Sequence, residues 1–233
     1  ILGATMIDQP KMIEAAAIAD KEMRSYLEGL VEEKEKSPGQ DFISVLLESE
    51  LESDRLTRDE LISNCILLMT AGHETTTRLI GNGLYTLLHH PDQLQLLRDD
   101  PSLMKVAVEE MLRYESPIQI TVRFVAENFE FKGASFKKNQ MVMLGLGAAN
   151  RDPNAMDRPE VFDIRRSRVS HVSFGYGIHL CLGAWLARLE TRVAVNTLLR
   201  RNPNLKLAVK EEELQLQRVP FWHRYQSLPV TLG

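Results

Sequence analysis

One uninterrupted helical pattern, covering residues 57 to 90, limits the folds that this chain can adopt. Thr57 and Glu60 form a capping box, in which each side chain accepts a hydrogen bond from the other residue's backbone N–H at the start of a helix. The helical pattern continues to His90, and Pro91 ends it because proline lacks the N–H that a helix interior requires. The sequence therefore predicts one helix that is long for a globular protein.

The other patterns predict shorter helices and a small amount of strand. Helices are predicted over residues 10–36, 41–50 and 182–201, with two more that begin at Pro91 and Pro101. Polar and apolar residues alternate within 118–143, and Lys132-Gly133 interrupts the alternation as a hairpin turn would. Short strands are expected to end the chain. The predicted fold class is mainly α with a minor β part.

Composition excludes several classes of function. The chain has 233 residues, 44% of them hydrophobic, which suits one large globular domain or two small ones. Its net charge of −4 gives no support to nucleic-acid binding, which requires a basic surface. No apolar run approaches the roughly 20 residues that a membrane-spanning helix needs. Cys65 and Cys181 are the only cysteines, so a reducing compartment, the cytoplasm, is favoured over a secreted protein held by disulfides.

One of these cysteines lies in an unusual loop, FGYGIHLCLG (174–183), directly before a predicted helix. Gly175 and Gly177 allow positive φ angles and close approach of the backbone. Backbone N–H groups at the helix start would stabilise Cys181 as a thiolate. Zinc fits poorly because no CxxC pair completes a tetrahedral site, and nothing marks a histidine base for a nucleophile. Haem iron needs only one thiolate. A buried structural cysteine is the alternative interpretation.

The segment FGYGIHLCLGAWLARLE (174–190) resembles the haem-binding signature of the cytochromes P450, the haem-thiolate monooxygenases. The pattern is F-G-x-G-x-H-x-C-x-G followed by x-x-L-A-R-x-E, and every fixed position is present. Two more family motifs lie upstream: residues 110–113 match E-x-x-R, and residues 71–75 match A-G-x-(D/E)-T. The resemblance implies haem b and the cytochrome P450 fold. Residues 1–233 would form the C-terminal, haem-binding part of a single domain whose N-terminal part lies outside this chain.

The resemblance implies roles for the cysteine and for the long helix. Cys181 would be the metal ligand that binds the haem iron. Ala71 and Gly72 would open the long helix over the iron and leave room for dioxygen. Glu74 and Thr75 would pass protons to that dioxygen.

The resemblance also implies a structural pair that braces the cysteine loop. Glu110 and Arg113, at positions i and i+3, lie on one face of a helix and can pair. The family's P-x-R-F segment is PEVF (159–162) here, so its usual arginine is missing. Arg151, Arg165 and Arg166 are the candidates to replace it.

Further contacts follow from the same resemblance. Arg123 and His179 would bind the haem propionates. The remaining residues expected to contact the haem are Phe174, Gly175 and Gly183. The substrate pocket is expected to include Leu68, Ile118, Gln119, Ile120 and Thr121.

The implied activity is insertion of one oxygen atom of O2 into a small hydrophobic substrate. Electrons would come from a ferredoxin or flavodoxin-type donor with its reductase. Arginines near the loop predict a basic patch for such an acidic donor: Arg165, Arg166, Arg168, Arg188 and Arg192. The alternatives are a peroxide-driven haem-thiolate enzyme, which would need no relay through Glu74 and Thr75, and a non-catalytic haem-binding fragment.

Overall fold

The structure, a computed structural model, describes residues 9–50, 56–219 and 221–232. Its α-helices are α1 (Gln9–Lys36), α2 (Phe42–Glu50), α3 (Arg58–His89), α4 (Pro91–Asp99), α5 (Met104–Tyr114), α6 (Leu146–Ala149) and α7 (Ala184–Arg201). Its strands are β1 (Ile120–Phe124), β2 (Phe129–Phe131), β3 (Ala134–Phe136), β4 (Met141–Gly145), β5 (Lys206–Leu207), β6 (Leu216–Val219), β7 (Trp222–Tyr225) and β8 (Val230–Thr231). The predicted mainly α class with a minor β part is confirmed.

The long helix α3 begins and ends within one residue of the bounds that its sequence predicts. The Thr57 N–H donates to Glu60 Oε2 at 2.6 Å, and the Glu60 N–H donates to Thr57 Oγ1 at 3.3 Å, so the capping box forms. His89 is the last helical residue, and Pro91 begins α4. Neither α3 nor any other helix in the described part of the chain is long and apolar enough to cross a membrane.

Two helices begin later than the sequence predicts. Pro101–Leu103 form a 3₁₀ turn, in which Asp100 Oδ1 accepts a hydrogen bond from the Ser102 N–H at 3.0 Å, and α5 follows from Met104. This aspartate caps the short turn, so the α-helical bonding starts one turn further on. The last long helix, α7, begins at Ala184 because the cysteine loop still occupies the residues before it.

The strands form two-stranded antiparallel pairs, β1 with β4, β2 with β3, β5 with β8 and β6 with β7. Lys132 and Gly133 join β2 to β3 with φ angles of 48° and 81°. Positive φ at both central residues is the requirement of a tight type I′ turn, so the predicted hairpin is confirmed. The β1–β4 pair encloses this hairpin in sequence.

The described residues form two compact units, which divide inside α3 between Glu74 and Thr75. In the first unit, Leu27 of α1 belongs to the same buried apolar cluster as Leu61 and Cys65 of α3. Burial raises the pKa of the Cys65 thiol. Cys65 is therefore a packing residue of this unit, well suited to an apolar core.

In the second unit, α5 packs against the end of α3. Gly83 permits the approach, because a Cβ built there would lie 2.6 Å from the Met111 sulfur. Val195 and Leu199 bring α7 into the same apolar core. This core fixes α5 and α7, the two helices that flank the cysteine loop in the candidate site.

Candidate functional site

The loop before α7 holds the side chain at the centre of the candidate site. Cys181 follows a 3₁₀ turn (Gly177–His179), and its thiol is exposed. The loop closes on itself because the Cys181 N–H donates to the carbonyl oxygen of Phe174 at 2.9 Å. Gly175 and Gly177 have φ angles of 74° and 70°, which glycine adopts without strain. The loop presents the cysteine outward, so the alternative of a buried structural cysteine is wrong.

The side chains beside this thiol are apolar and open to solvent. Ile178 is 98% exposed and Leu182 is 84% exposed, and Trp185 in the first turn of α7 is also exposed. Large exposed apolar patches mark sites for ligands or partners. The surface around Cys181 is therefore suited to a broad apolar group.

The predicted structural pair is fully buried beneath this region of the chain. The Glu110 and Arg113 side chains are both 0% exposed, and two parallel bonds join them, from Nε to Oε2 at 2.7 Å and from Nη2 to Oε1 at 2.8 Å. Arg113 also donates to the carbonyl oxygens of Asn150, Pro159 and Val161 at 3.1, 2.7 and 3.0 Å. All three nitrogens of Arg113 bond to acceptors, and these bonds offset the cost of burying its positive charge.

Arg166 supplies the third member of this cluster. Its Nε donates to Glu110 Oε1 at 3.1 Å, and its side chain is only 9% exposed. Its other nitrogens donate to the carbonyl oxygens of Asp157, Arg158 and Val161. The three candidates left open by the sequence are thereby resolved in favour of Arg166.

Asn150 connects the buried pair to the start of the cysteine loop, a role that the sequence did not predict. Its carbonyl accepts from Arg113, and its side chain accepts from the Val172 N–H at 2.7 Å and donates to Ser173 Oγ at 2.8 Å. Ser173 Oγ in turn donates to the carbonyl oxygen of Leu112 at 2.7 Å. No periodic pattern marks an asparagine in the irregular stretch 150–171, so only its tertiary contacts reveal it.

Two arginines of the predicted basic patch make ion pairs inside the protein. Arg166 is held inside the protein by Glu110. Arg188 pairs with Glu109, with Nε 2.7 Å from Oε1. Both guanidinium groups are neutralised by internal carboxylates, so they add less positive charge to the surface than the sequence predicts.

Comparison with known proteins assigns the chain to a family. Residues 7–215 match the family model described as Cytochrome P450. This chain belongs to the cytochrome P450 family. Among its curated relatives, the biotin biosynthesis cytochrome P450 of Bacillus subtilis is 48% identical over 207 residues, which cover 89% of this chain and 52% of that protein. The vitamin D(3) 25-hydroxylase of Pseudonocardia autotrophica is 46% identical over 228 residues, 97% of this chain and 56% of that protein.

Solved cytochrome P450 structures share the fold. P450BioI, in complex with an acyl carrier protein ligated to hexadec-9Z-enoic acid, matches with a TM-score of 0.91 and 44% identity over 97% of this chain and 58% of that one. Myxobacterial CYP267B1, in complex with myristic acid, matches with a TM-score of 0.93 and 40% identity over 100% of this chain and 58% of that one. The predicted cytochrome P450 fold is confirmed. The chain spans about half the length of the curated relatives it matches.

Cytochromes P450 bind haem b, and the residues of the candidate site fit this group. Cys181 offers a single free thiol, as haem-thiolate ligation requires. Within residues 9–50, 56–219 and 221–232, no group of three or more His, Cys, Asp or Glu side chains could hold a metal ion. A Cβ built at Gly177 or Gly183 would meet nothing within 4 Å, so the loop surface is open at both positions. A flat porphyrin could therefore approach the thiol.

The two residues expected to bind haem propionates in this cytochrome P450 lie in different elements. Arg123 is half-buried on β1, where its Nη1 donates to Thr121 Oγ1 at 3.1 Å and to the Val122 carbonyl oxygen at 2.8 Å. His179 is exposed at the end of the 3₁₀ turn beside Cys181. Their contacts with haem stay a prediction.

The predicted pocket residues 118–121 form one segment that leads into β1. The Gln119 side chain is already engaged by the protein, because its Nε2 donates to the carbonyl oxygen of Ser116 at 2.6 Å. A Cβ built at Gly147 would lie 1.9 Å from Gln119 Oε1, so this amide packs directly against the glycine. If the segment lines a pocket, Gln119 would shape the wall of that pocket more than it would bind a substrate, because its amide nitrogen is already hydrogen-bonded within the protein.

The predicted pocket and relay residues of α3 fall on both sides of the unit boundary. Leu68, Ala71, Gly72 and Glu74 belong to the first unit, and Thr75 begins the second. The helix is continuous through all of them. A Cβ built at Gly72 would meet nothing within 4 Å, so there is open space beside this glycine. Their roles toward haem, dioxygen and substrate stay predictions.

Proposed function

We propose that this chain is the C-terminal, haem-binding part of one cytochrome P450 domain and that the complete protein is a haem-thiolate monooxygenase. The reaction inserts one oxygen atom of O2 into a small hydrophobic substrate. Two electrons and two protons reduce the other atom to water. The observation that carries the proposal is the exposed Cys181 thiol in a complete signature loop, tied through Asn150 to the buried Glu110–Arg113 pair.

Haem b, when bound, supplies the iron at which dioxygen is activated. Cys181 is the residue proposed to hold this iron, and its thiolate would supply electron density that favours cleavage of the O–O bond. Cys181 lies three residues before the first residue of α7, and the N-terminal end of a helix favours negatively charged groups.

Glu74 and Thr75 are the proposed proton relay. A carboxyl group can take up protons from solvent, and a neighbouring hydroxyl can hold a water and hand protons on singly. Both residues lie on α3, just after Gly72, where the helix borders open space. Such a relay favours a user of O2 over a peroxide-driven enzyme, which needs no delivered protons to form peroxide.

The proposed electron donor is a ferredoxin or flavodoxin with its reductase. Arg165 and Arg168 remain exposed and Arg192 is half-buried on α7, so an acidic protein could reach these three arginines of the predicted patch. Cys65 and Cys181 are both free thiols, which supports a reducing compartment such as the cytoplasm.

The names of related proteins support an apolar substrate. One relative is a vitamin D(3) 25-hydroxylase, and solved relatives are in complex with myristic acid or with an acyl carrier protein ligated to hexadec-9Z-enoic acid. Substrate trials should therefore compare a sterol-like compound, a free fatty acid, and the same acid linked to acyl carrier protein.

The decisive experiment is an absorption spectrum of the reduced, CO-bound, full-length protein, followed by turnover. A strongly red-shifted Soret band and product formed from O2, reductase and ferredoxin would support the monooxygenase. Product formed only with added peroxide would favour the peroxide-driven alternative. A red-shifted band without product from any substrate under either condition would favour a non-catalytic haem binder, and no red shift would overturn thiolate ligation.

A further inference from the structure

A second ionic cluster joins α5 to α7 beside the cysteine loop, and of its members only Arg188 belongs to a family motif, the haem-binding signature. Glu109 accepts two bonds from Arg188, from Nε to Oε1 at 2.7 Å and from Nη2 to Oε2 at 2.8 Å. His171 Nε2 lies 3.0 Å from Glu109 Oε2. The His171 side chain is buried, and those of Glu109 and Arg188 are mostly covered.

This cluster is separate from the Glu110–Arg113 pair, although Glu109 and Glu110 are neighbours in sequence. Consecutive residues on a helix point to different sides. Glu110 therefore faces Arg113 and Arg166, whereas Glu109 faces α7 and the segment before the loop. The two carboxylates of α5 hold different parts of the chain.

Electrostatics favour a permanent charge on Glu109. Burial by itself would raise the pKa of this carboxyl group, but the hydrogen bonds from His171 and Arg188 outweigh burial and lower the pKa to about 2. Glu109 is thus ionised at neutral pH, and its charge-assisted bonds are stronger than neutral ones.

The cluster contacts the loop at its first residues. The Arg188 guanidinium carbon lies 4.5 Å from the centre of the Phe174 ring, a cation–π distance, and the His171 ring lies 6.0 Å from the same ring. His171 Nδ1 accepts from the Ser173 N–H at 3.3 Å, so Nε2 carries the proton that is donated to Glu109. The Phe174 carbonyl oxygen in turn accepts the N–H of Cys181.

We propose that Glu109 is a positioning residue for the Cys181 thiolate: it holds Arg188 and His171 against Phe174, and Phe174 anchors the backbone of the cysteine. This inference rests on the proposed function, in which Cys181 is the haem ligand. The cluster of Glu110, Arg113 and Arg166 supports the loop from the irregular stretch 150–171. The cluster of Glu109, Arg188 and His171 supports it from α7. Weakening the Glu109–Arg188–His171 cluster should disturb ligation of the iron by Cys181 more than it disturbs folding of the protein.

The test uses the full-length, haem-loaded protein and the variants Glu109→Gln and Arg188→Lys, with Glu127→Gln as a matched control. Glu127 is an exposed carboxylate between β1 and β2. Glu109→Gln keeps the size of the side chain but removes the charge. Arg188→Lys keeps the charge but cannot make two parallel bonds or stack a planar group on Phe174. Each protein is measured for haem content, melting temperature, reduction potential and the rate at which its CO complex loses the red-shifted band.

Glu109→Gln should retain haem, melt several degrees lower, shift the reduction potential, and lose the red-shifted band about tenfold faster, the order of the loss in metal affinity that follows removal of a partner behind a metal ligand. Arg188→Lys should fall between Glu109→Gln and the control. The double variant should be no worse than Glu109→Gln, because both changes break one unit.

A Glu109→Gln protein with an unchanged band and potential would overturn the positioning role, even if it melted earlier. If Glu109→Gln does not fold, Arg188→Lys decides: a wild-type potential and band stability would overturn the proposal, and altered values would support it. Failure of the proposed function looks different, because the unmodified protein itself would then lack the red-shifted band.

Discussion

Ser173 donates its hydroxyl proton to the carbonyl oxygen of Leu112 at 2.7 Å. This hydrogen bond ties the residue just before the cysteine loop to α5, the helix that carries the buried ion pair. Leu112 is the residue before Arg113, and Ser173 is the residue before Phe174. A shift of α5 would therefore reach the loop through one hydrogen bond. This relationship gives physical meaning to the bracing role expected of the E-x-x-R motif.

Replacing Cys181 by Ala should abolish the red-shifted band of the CO complex, because no thiolate would remain at the loop. Cys65→Ala is the control, since Cys65 is buried in the core of the first unit. It should keep the band and cost about 1 kcal/mol of lost packing. The measurement is the CO difference spectrum, and a persistent band in Cys181→Ala would contradict the ligand assignment.

Replacing Glu110 by Ala should leave Arg113 and Arg166 as buried charges without their carboxylate. Breaking a buried pair in this way costs about 3–5 kcal/mol, so the variant should fail to retain haem. The exposed Asp157, paired with Arg158, provides the contrast, and Asp157→Ala should change stability little. Haem content and urea unfolding measure both. Normal haem retention in Glu110→Ala would argue against a bracing role.

Arg166 and Arg165 should behave very differently despite being neighbours. Arg166→Ala removes a buried partner of Glu110 and should destabilise the protein by about 3 kcal/mol. Arg165 is 60% exposed, and Arg165→Ala should have little effect on stability. Urea unfolding of both variants gives the comparison. Equal effects would show that Arg166 is not the third member of the cluster.

The stability of the protein should carry an acid-dependent contribution from Glu109. The pKa of Glu109 is lowered from 4.5 to about 2 on folding, so its stabilisation is complete above its unfolded pKa and disappears as pH falls toward 2. The contribution is about 3 kcal/mol and should be lost between about pH 5 and about pH 2. Unfolding free energies of wild type and Glu109→Gln across this range should therefore converge in acid. Glu127→Gln should parallel wild type, and a constant gap for Glu109→Gln would contradict the assignment.

Replacing Thr75 by Ala should separate electron consumption from product formation. The variant should still bind haem and substrate and still consume the electron donor, but most electrons should appear as hydrogen peroxide because proton delivery fails. Glu74→Gln should instead slow the whole cycle. Thr77→Ala is the matched control, since residues two apart do not share a helix face. Undiminished coupling in Thr75→Ala would remove the relay and strengthen the peroxide-driven alternative.

Local signals in the sequence determined the elements of this protein. Thr57 and Glu60 predicted the start of α3, Pro91 predicted its end, and Lys132-Gly133 predicted the hairpin, all of which the structure confirms. Each depends on bonds or steric limits within a few residues, so a short stretch of sequence contains the whole cause. The signature around Cys181 was equally local and identified the family.

The ion pairs that support the cysteine loop could be found only in the tertiary structure. Arg166 lies 56 residues from Glu110, and Arg188 lies 79 residues from Glu109. Arg165, Arg166 and Arg168 look alike in sequence, yet only the fold of the irregular segment turns Arg166 inward. A buried charge needs a partner within bonding distance, because water cannot solvate it and an unpaired buried charge is costly. That partner can come from any part of the chain that folding brings close. The sequence thus predicted which residue binds the haem iron, and tertiary packing decided which charged side chains pair beside the loop that carries this residue.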